Sequence, residues 1–338
     1  MTPRERMQRA IAHQPTDICP YVLGFSGALR QRLVGYTGNP GFDAGLEPHL
    51  MNVGPAYPET NQRLDEHRYT DAFGVIWEEA IAGEIGMVRN PVLREPSLQG
   101  YTFPPARLPG LFDDVPGQVA AHPGRYSTWS LGFSLFERAW TLRGLEPFLQ
   151  DLVEHPRFAE ELLERICELN LELIDQACQH PIDCVRFGDD WGAQRGLIMG
   201  PDLWRRFIRP RFVRMVERAR SYGKDVLLHS DGDIVAVIPD LIDAGLTILN
   251  PVQPDVMDIY CIKRQYGQHL TFLGGVSVQH LLPEGSPEQV RAEVRRLIAQ
   301  VGAGGGFIIA PTHSLGSDIP LRNLTVLVDE FTRQKGRG

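Results

Sequence analysis

Apolar and polar positions follow one regular pattern from about residue 125 to the end of the chain. In 149–180, leucine and isoleucine recur at spacings of three and four, which predicts a helix with one buried face. Short apolar runs without that period lie between such helical stretches, and each predicts a buried strand. These runs are 125–131, 184–187, 226–229, 246–250, 270–275 and 306–310. Strict alternation of strand and helix predicts a parallel sheet with right-handed crossovers.

Six or more strand–helix units in one chain favour a (β/α)8 barrel over an open sheet. We therefore expect the α/β class, with 1–338 forming a single TIM-barrel domain. No Gly-x-Gly-x-x-Gly follows any of these strands, which weakens the alternative of a dinucleotide-binding fold. Residues 18–24 are a plausible first strand. Residues 35–65 and the proline-rich segment 90–124 are expected to be irregular insertions over the barrel mouth or side.

Composition narrows the classes of function. A chain of 338 residues with 43% hydrophobic and 22% charged residues is an ordinary globular protein. Its formal charge of -8 argues against general binding to nucleic acid or to anionic membranes. No apolar run approaches the roughly 20 residues of a membrane span, and no signal-peptide core follows the first methionine. The five cysteines are scattered without a Cys-x-x-Cys pair, so we expect reduced thiols in a cytoplasmic protein.

The stretch 225–232, Asp-Val-Leu-Leu-His-Ser-Asp-Gly, is the first candidate for chemistry. His229 and Asp231 are two residues apart at the end of a predicted strand, so they share a face if the strand extends that far. In a barrel, residues at the carboxyl ends of the strands converge on one site although they are distant in sequence. The polar residues at these ends are Asp71, Asp189, Asp190, His229, Asp231, Asn250, Gln253 and His313.

Three interpretations of these residues are open. Two histidines and a carboxylate (His229, Asp231 and His313) could bind a divalent metal such as zinc or non-haem iron. Alternatively, a buried carboxylate, Asp71 or Asp190, could stabilise a cationic substrate. In the third interpretation, the loop residues are only helix caps and hydrogen-bonding partners. It would apply to Asp189, Asp190 and His313.

Six short motifs also carry a family resemblance through their order and spacing. They are GFSLFERAW at 132–140, FGDDWG at 187–192, LHSDG at 228–232, ILNPVQP at 248–254, LGGV at 273–276 and APTH at 310–313. With these motifs the chain resembles the uroporphyrinogen decarboxylase superfamily. That superfamily contains the decarboxylase proper and the methyltransferases of corrinoid-dependent methyl-transfer systems. The resemblance covers most of the chain, and it implies one (β/α)8 barrel with its site at the carboxyl ends of the strands.

The methyltransferase branch of the superfamily has a zinc site made by His-x-Cys after one strand and Cys after a later one. Here His229, Asp231 and His313 occupy these positions, so the second and third ligands change from sulfur to oxygen and nitrogen. Asp and His both bind divalent metals, although a carboxylate selects zinc less strongly than a thiolate. The resemblance therefore implies a divalent metal, most simply zinc. Asp190 is expected to orient a ligand histidine from behind.

The decarboxylase branch has an arginine-rich N-terminal motif that holds substrate carboxylates. This chain has GFSGALRQR at 24–32, which matches that motif poorly, although Arg30 and Arg32 could still bind an anion. Asp71 is the counterpart of the aspartate that faces the tetrapyrrole, and His313 matches the late histidine of that branch. Asn250 and Gln253 complete the expected substrate-binding residues.

The first functional expectation is a methyltransferase component of a corrinoid-dependent system. Methyl would pass, with metal assistance, between a methylcorrinoid on a partner protein and a small thiol, folate or methyl ether. The corrinoid would come from a partner because no cobalamin-carrying domain is visible in the sequence. The alternatives are a tetrapyrrole decarboxylase that needs no metal, and a non-catalytic barrel that binds a corrinoid or a partner. The oligomeric state stays open, with a homodimer as one option.

Overall fold

A seven-stranded parallel sheet forms the centre of the molecule. The computed structural model describes residues 1–43, 46–55, 62–79 and 86–334. The spatial order of the strands follows their order in the chain, as the predicted strand–helix alternation requires. The strands are Leu50–Asn52, Tyr126–Leu131, Cys184–Gly188, Asp225–His229, Ile248–Val252, Thr271–Val276 and Phe307–Pro311.

The two edges of this sheet meet at Tyr21. The backbone of Tyr21 forms a parallel bridge with Ile309 in the last strand. The Tyr21 ring packs edge-on against His49, with ring centroids 4.4 Å apart, and the His49 carbonyl accepts a hydrogen bond from the Tyr126 amide at 2.9 Å. The sheet is thus curled into a barrel, which confirms the predicted TIM-barrel fold. The predicted first strand, 18–24, contributes this isolated bridge.

Helices surround the sheet, and the first of them closes the N-terminal end of the barrel. They are Pro3–Ile11, Gly27–Thr37, Val115–Ala121, Phe136–Arg143, Leu145–Glu154, Pro156–Cys178, Pro201–Phe207, Arg209–Ser221, Ile238–Asp243, Ile259–Tyr266, Leu281–Glu284, Pro287–Gln300 and Leu321–Thr332. The predicted helical region 149–180 divides at Pro156, which begins the second helix because proline fits the first helical turn. None of the described helices combines the length and the apolar character needed to span a bilayer.

An apolar floor closes the N-terminal end of the barrel. Because side chains alternate along a strand, one set faces inward on every strand. This inward set packs with Met7 and Ala10 of the first helix as a separate buried cluster. The strand residues in that cluster are Tyr126, Cys184, Leu227, Ile248, Leu273, Ile308 and Ala310. The floor leaves the opposite end, at the carboxyl ends of the strands, as the place for a site.

The described part of the N-terminal third contains more regular secondary structure than its sequence predicts; residues 44–45 and 56–61 of the expected insertion lie outside the described residues. The expected insertion 35–65 contains Leu50–Asn52, which is a barrel strand, so the prediction of an irregular segment was wrong there. A separate antiparallel sheet follows it in the chain. Its strands are Gln62–Arg63, Arg68–Thr70, Ile76–Glu78 and Met87–Val88. The proline-rich segment 90–124 has one helix, Val115–Ala121, and a short hairpin, Gly192–Ala193 with Gly196–Leu197, follows a barrel strand.

Candidate functional site

Polar side chains line the barrel directly above the apolar floor. On neighbouring strands, Arg186 follows Cys184 and His229 follows Leu227 on the inward face. Asn250 follows Ile248 in the same way and is paired with His229 in the strand register. The inward face therefore changes from apolar to polar one side chain above the floor, where solvent and substrate enter.

Three potential metal ligands come together at this end of the barrel. Asp190, His229 and Asp231 each offer one ligand atom, and these atoms all lie within 4.8 Å of one another. His229 Nε2 is 3.9 Å from Asp231 Oδ1. The Asp231 amide also donates to Asp190 Oδ1 at 2.9 Å, which fixes one carboxylate beside the other. Zinc binds such atoms at about 2.0–2.2 Å, so a shared ion would draw these atoms closer together than they lie here.

Asn250 fixes the orientation and the tautomer of His229. The Asn250 Nδ2 group donates to the Leu273 carbonyl at 3.1 Å, and a carbonyl can only accept. The other end of the amide, Oδ1, therefore faces His229 Nδ1 at 2.7 Å. Since this oxygen accepts, Nδ1 carries the proton of the neutral ring, and Nε2 has the free lone pair. That lone pair is on the side of Asp231, as a metal ligand requires.

Two glycines let the loops that carry the carboxylates touch. A Cβ atom on Gly192 would lie 2.4 Å from the Asp231 carbonyl oxygen, and one on Gly232 would lie 2.3 Å from the Gly192 carbonyl carbon. Gly232 also has a φ of 82°, which L side chains rarely adopt. Gln253 Oε1 accepts from the Gly232 amide at 2.7 Å and supports the same loop. This close approach brings Asp190 and Asp231 together.

Burial controls the charges of the cluster. Burial, and after it the positive charge of Arg186, lowers the pKa of His229, so the imidazole is neutral at pH 7. Burial also raises the pKa of Asp231, although His229 opposes this shift. Asp231 Oδ1 is buried without a hydrogen-bond partner in the described part of the chain. A neutral imidazole and an unsatisfied carboxylate oxygen, side by side, fit a divalent metal.

His313 lies next to these residues at the exposed rim. Its ring centroid is 6.3 Å from that of His229. The structure thus places all three predicted ligands near one another. It groups Asp190, expected to orient a histidine from behind, with His229 and Asp231 in the tight cluster. Asn250, expected to bind substrate, is the residue that orients His229.

Asp189 has the structural role that the helix-cap interpretation gives it. Its buried carboxylate accepts from the amides of the first helical turn, at Leu135, Phe136 and Glu137, and from Trp191 Nε1. This arrangement fixes the Phe136–Arg143 helix beside the cluster. Burial, followed by the charges of Asp189 and Asp190, raises the pKa of Glu137 to about 9. Glu137 was not among the residues predicted from the sequence, although an acidic residue inside the GFSLFERAW motif could have identified it as a candidate.

The remaining predicted residues are occupied elsewhere in the structure. Asp71 is a buried ion-pair partner of Arg138 at 2.8 Å, and it also accepts from the amides of Phe73 and Val75 and from Trp77 Nε1. Both of its oxygens are thus occupied by contacts that link the small antiparallel sheet to the Phe136–Arg143 helix. These contacts favour a structural role for Asp71.

The two predicted anion-binding arginines also have protein partners. Arg30 is an exposed partner of Asp43 at 2.6 Å. Arg32 donates to the carbonyl groups of Ser317 and Ile319 at 2.6 and 3.1 Å. Both arginines therefore stabilise the surface between the Gly27–Thr37 helix and neighbouring loops.

The fold and the cluster together define a class of protein: a barrel with potential metal ligands at the carboxyl ends of its strands. The family model for uroporphyrinogen decarboxylase (URO-D) matches residues 115–334, and the chain belongs to that family. The match contains every residue of the candidate cluster.

The relatives include both methyltransferases and decarboxylases. A methylated-thiol–coenzyme M methyltransferase of Methanosarcina mazei is 26% identical over 144 residues, which are 43% of this chain and 36% of that protein. A uroporphyrinogen decarboxylase of Ralstonia pickettii is 25% identical, with 95% of this chain and 93% of that protein covered. A solved methyltransferase structure from Methanosarcina mazei superposes with a TM-score of 0.71 at 18% identity, covering 98% of this chain and 99% of that one. This superposition supports the fold.

Proposed function

We propose that this protein is the methyltransferase component of a corrinoid-dependent system. A methyl group would pass between a corrinoid held by a partner protein and a small thiol, folate or methyl ether. A divalent metal, zinc in the first instance, would be held by His229 and Asp231, with Asp190 and His313 as the neighbouring ligands. The buried free cysteines suit a reducing compartment, and we place the protein in the cytoplasm.

The observation that carries this proposal is the pair of potential metal-donor atoms, Asp231 Oδ1 and His229 Nε2, at the mouth of the barrel. Asp231 Oδ1 is buried without a hydrogen-bond partner among the residues that the structure describes, and Asn250 turns the lone pair of His229 Nε2 toward it. In the family resemblance, the positions of His229 and Asp231 match those of zinc ligands in the methyltransferase branch. The partial match to a methylated-thiol methyltransferase supports a thiol as the substrate. A bound divalent metal would supply Lewis-acid activation, which lowers the pKa of a thiol or polarises an ether oxygen.

The residues of the chain have separable roles in this proposal. Asn250 keeps His229 in the tautomer that can ligate, and Gln253 supports the loop that presents Asp231. Glu137, whose high pKa keeps it protonated at pH 7, holds a proton beside Asp190. That proton is available to a leaving group or to a thiolate product, so Glu137 is the candidate general acid.

A tetrapyrrole decarboxylase is the second candidate, because the alignment with a uroporphyrinogen decarboxylase covers nearly the whole chain. That activity would use Asp71 to stabilise a protonated pyrrole and Arg30 or Arg32 to hold carboxylates. Asp71 is already paired with Arg138, and both arginines have protein partners. These contacts favour the methyltransferase proposal.

Metal content tests the proposal. Protein purified without chelators and supplemented with zinc should contain close to one equivalent by elemental analysis. Asp231→Asn keeps the shape of the side chain but removes its charge, and it should lower the zinc content sharply, as should His313→Ala. Asp231→Cys restores one sulfur of the family pattern and should raise zinc affinity.

Asp233→Asn is the matched control, because Asp233 lies two residues away and accepts from the Val235 amide. It should leave zinc content unchanged. A zinc content near zero in the folded wild-type protein would exclude the metal mechanism and leave the decarboxylase or binding-protein alternatives.

A further inference from the structure

Arg186 is a cation inside the barrel that has no hydrogen-bond or ion-pair partner among the described residues. It belongs to the Cys184–Gly188 strand, where its inward neighbour Cys184 is part of the apolar floor. In the strand register, Arg186 lies between Ser130 on one side and Leu227 on the other. On its own strand it is therefore one side chain above Cys184 of the floor, and in the register it is one side chain below the level of His229.

Two other arginines with largely buried side chains each hold a carboxylate. Arg138 pairs with Asp71 at 2.8 Å and Arg143 pairs with Asp151 at 2.7 Å. Across the residues that the structure describes, Arg186 forms neither a hydrogen bond nor an ion pair. A guanidinium group stays charged even when burial lowers its pKa, so an unpaired one inside a barrel is costly.

The polar groups beside Arg186 do not neutralise it. The hydroxyl groups of Thr128 and Ser130 both donate to Asn52 Oδ1, at 2.7 and 3.1 Å, so these neutral groups satisfy one another. The charge of Arg186 acts on His229 and Asp231 at the level above, but no carboxylate within the described ranges forms an ion pair with it. The five N–H donors of Arg186 are thus available to an anion that enters from the mouth.

We propose that Arg186 binds a carboxylate of the small-molecule substrate at the bottom of the site. Guanidinium and carboxylate groups match as a two-pronged pair of charge-assisted hydrogen bonds, which gives orientation as well as affinity. A short substrate anchored there would extend upward, with its reacting atom at the level of His229 and Asp231. The inference rests on the proposed function for the identity of that reacting end, and it narrows the substrate class to a short thiol or thioether acid.

Two small thiols of similar size test this inference by calorimetric titration of the protein as purified. Thioglycolate carries a carboxylate, and mercaptoethanol carries a hydroxyl in its place. The wild type should bind thioglycolate more tightly. Arg186→Gln should weaken thioglycolate binding by at least about tenfold and leave mercaptoethanol binding unchanged, as expected for loss of a charged hydrogen-bonded pair. Arg186→Lys keeps the positive charge but loses the two-pronged guanidinium geometry, so its affinity for thioglycolate should lie between those of the wild type and Arg186→Gln.

Arg195→Gln is the control, because Arg195 is exposed in the hairpin that follows the same strand. It should bind both thiols as the wild type does. Thermal unfolding of each variant checks that the fold is intact. Equal binding of the two thiols by the wild type, undiminished thioglycolate binding by Arg186→Gln, or tighter binding of inorganic phosphate than of thioglycolate would each overturn the inference.

Metal analysis on the same samples separates this inference from the proposed function. Arg186-dependent carboxylate binding in a protein without metal would support the anion site and contradict metal-assisted methyl transfer. Stoichiometric zinc without any dependence of binding on Arg186 would support the metal site and overturn the anion site.

Discussion

At the scale of single residues, the ability of His229 to ligate depends on one amide. Asn250 accepts the proton of Nδ1 at 2.7 Å, and its own orientation is fixed by the Leu273 carbonyl. Asn250→Leu should remove this support, so the ring would turn and both tautomers would form. Because such supporting partners usually contribute 10–100-fold to metal affinity, we expect zinc affinity to fall by about that factor. Competition with a zinc chelator measures it.

Thr128→Val provides a control for the Asn250 variant. Thr128 belongs to the same polar layer but bonds to Asn52 rather than to the cluster. Its zinc affinity should match the wild type. Unchanged affinity in Asn250→Leu would contradict the assigned tautomer.

The individual residues of the site could be predicted to different degrees. His229, Asp231 and His313 lie at strand ends, and the barrel brings strand ends together, so the sequence alone placed them near one another. The role of Asn250 could not be predicted, because it depends on a lateral pairing with His229 in the sheet. Arg186 was missed as well. A charge inside the apolar run Cys-Val-Arg-Phe is unusual, and that was its signal.

At the scale of elements, the loops that carry Asp190 and Asp231 come into backbone contact because each has a glycine, Gly192 and Gly232, at the point of contact. Gly192→Ala would place a Cβ atom 2.4 Å from the Asp231 carbonyl oxygen, so the loops must separate. We expect a loss of stability of about 1–3 kcal/mol, which is typical of overpacking, together with loss of zinc binding as Asp190 moves away from Asp231. Chemical denaturation and elemental analysis measure the two effects.

Gly132→Ala is the matched control, since Gly132 also follows a barrel strand and a Cβ atom there meets nothing within 4 Å. It should change stability by less than about 0.5 kcal/mol and retain zinc. Full zinc binding by Gly192→Ala would show that the close approach of the loops is not needed.

Element length decided which parts of the fold could be predicted. Strands of five or six residues, such as Cys184–Gly188 and Thr271–Val276, carry enough apolar residues to be recognised. Leu50–Asn52 has three residues and no visible alternation, and it was assigned to an insertion. The strands of the small sheet are two or three residues long, so turns and tertiary contacts such as Asp71 with Arg138 define them.

At the scale of the whole molecule, the barrel depends on the contact that joins its first and last strands. His49 lies at this seam, completely buried against Tyr21, and its carbonyl pairs with the second strand. Burial, followed by repulsion from Arg6, lowers the pKa of His49 to about 4. This role could not be predicted from the sequence, because closure of the barrel joins residues that are almost 300 positions apart (Tyr21 with Ile309).

The seam should therefore make the fold sensitive to acid. The pKa of His49 is lower in the folded protein than its ordinary value of 6.5, so the unfolded chain binds more protons between these values. The contribution of neutral His49 to the unfolding free energy is then fully present above about pH 6.5 and is lost as the pH falls toward 4. The shift corresponds to roughly 3 kcal/mol of unfolding free energy.

His49→Phe keeps an aromatic ring against Tyr21 but cannot be protonated, and urea denaturation should show a smaller loss of stability between pH 6.5 and 4. The same substitution at exposed His122 should retain the full wild-type loss. Parallel losses in the wild type and His49→Phe would assign the acid sensitivity to other groups.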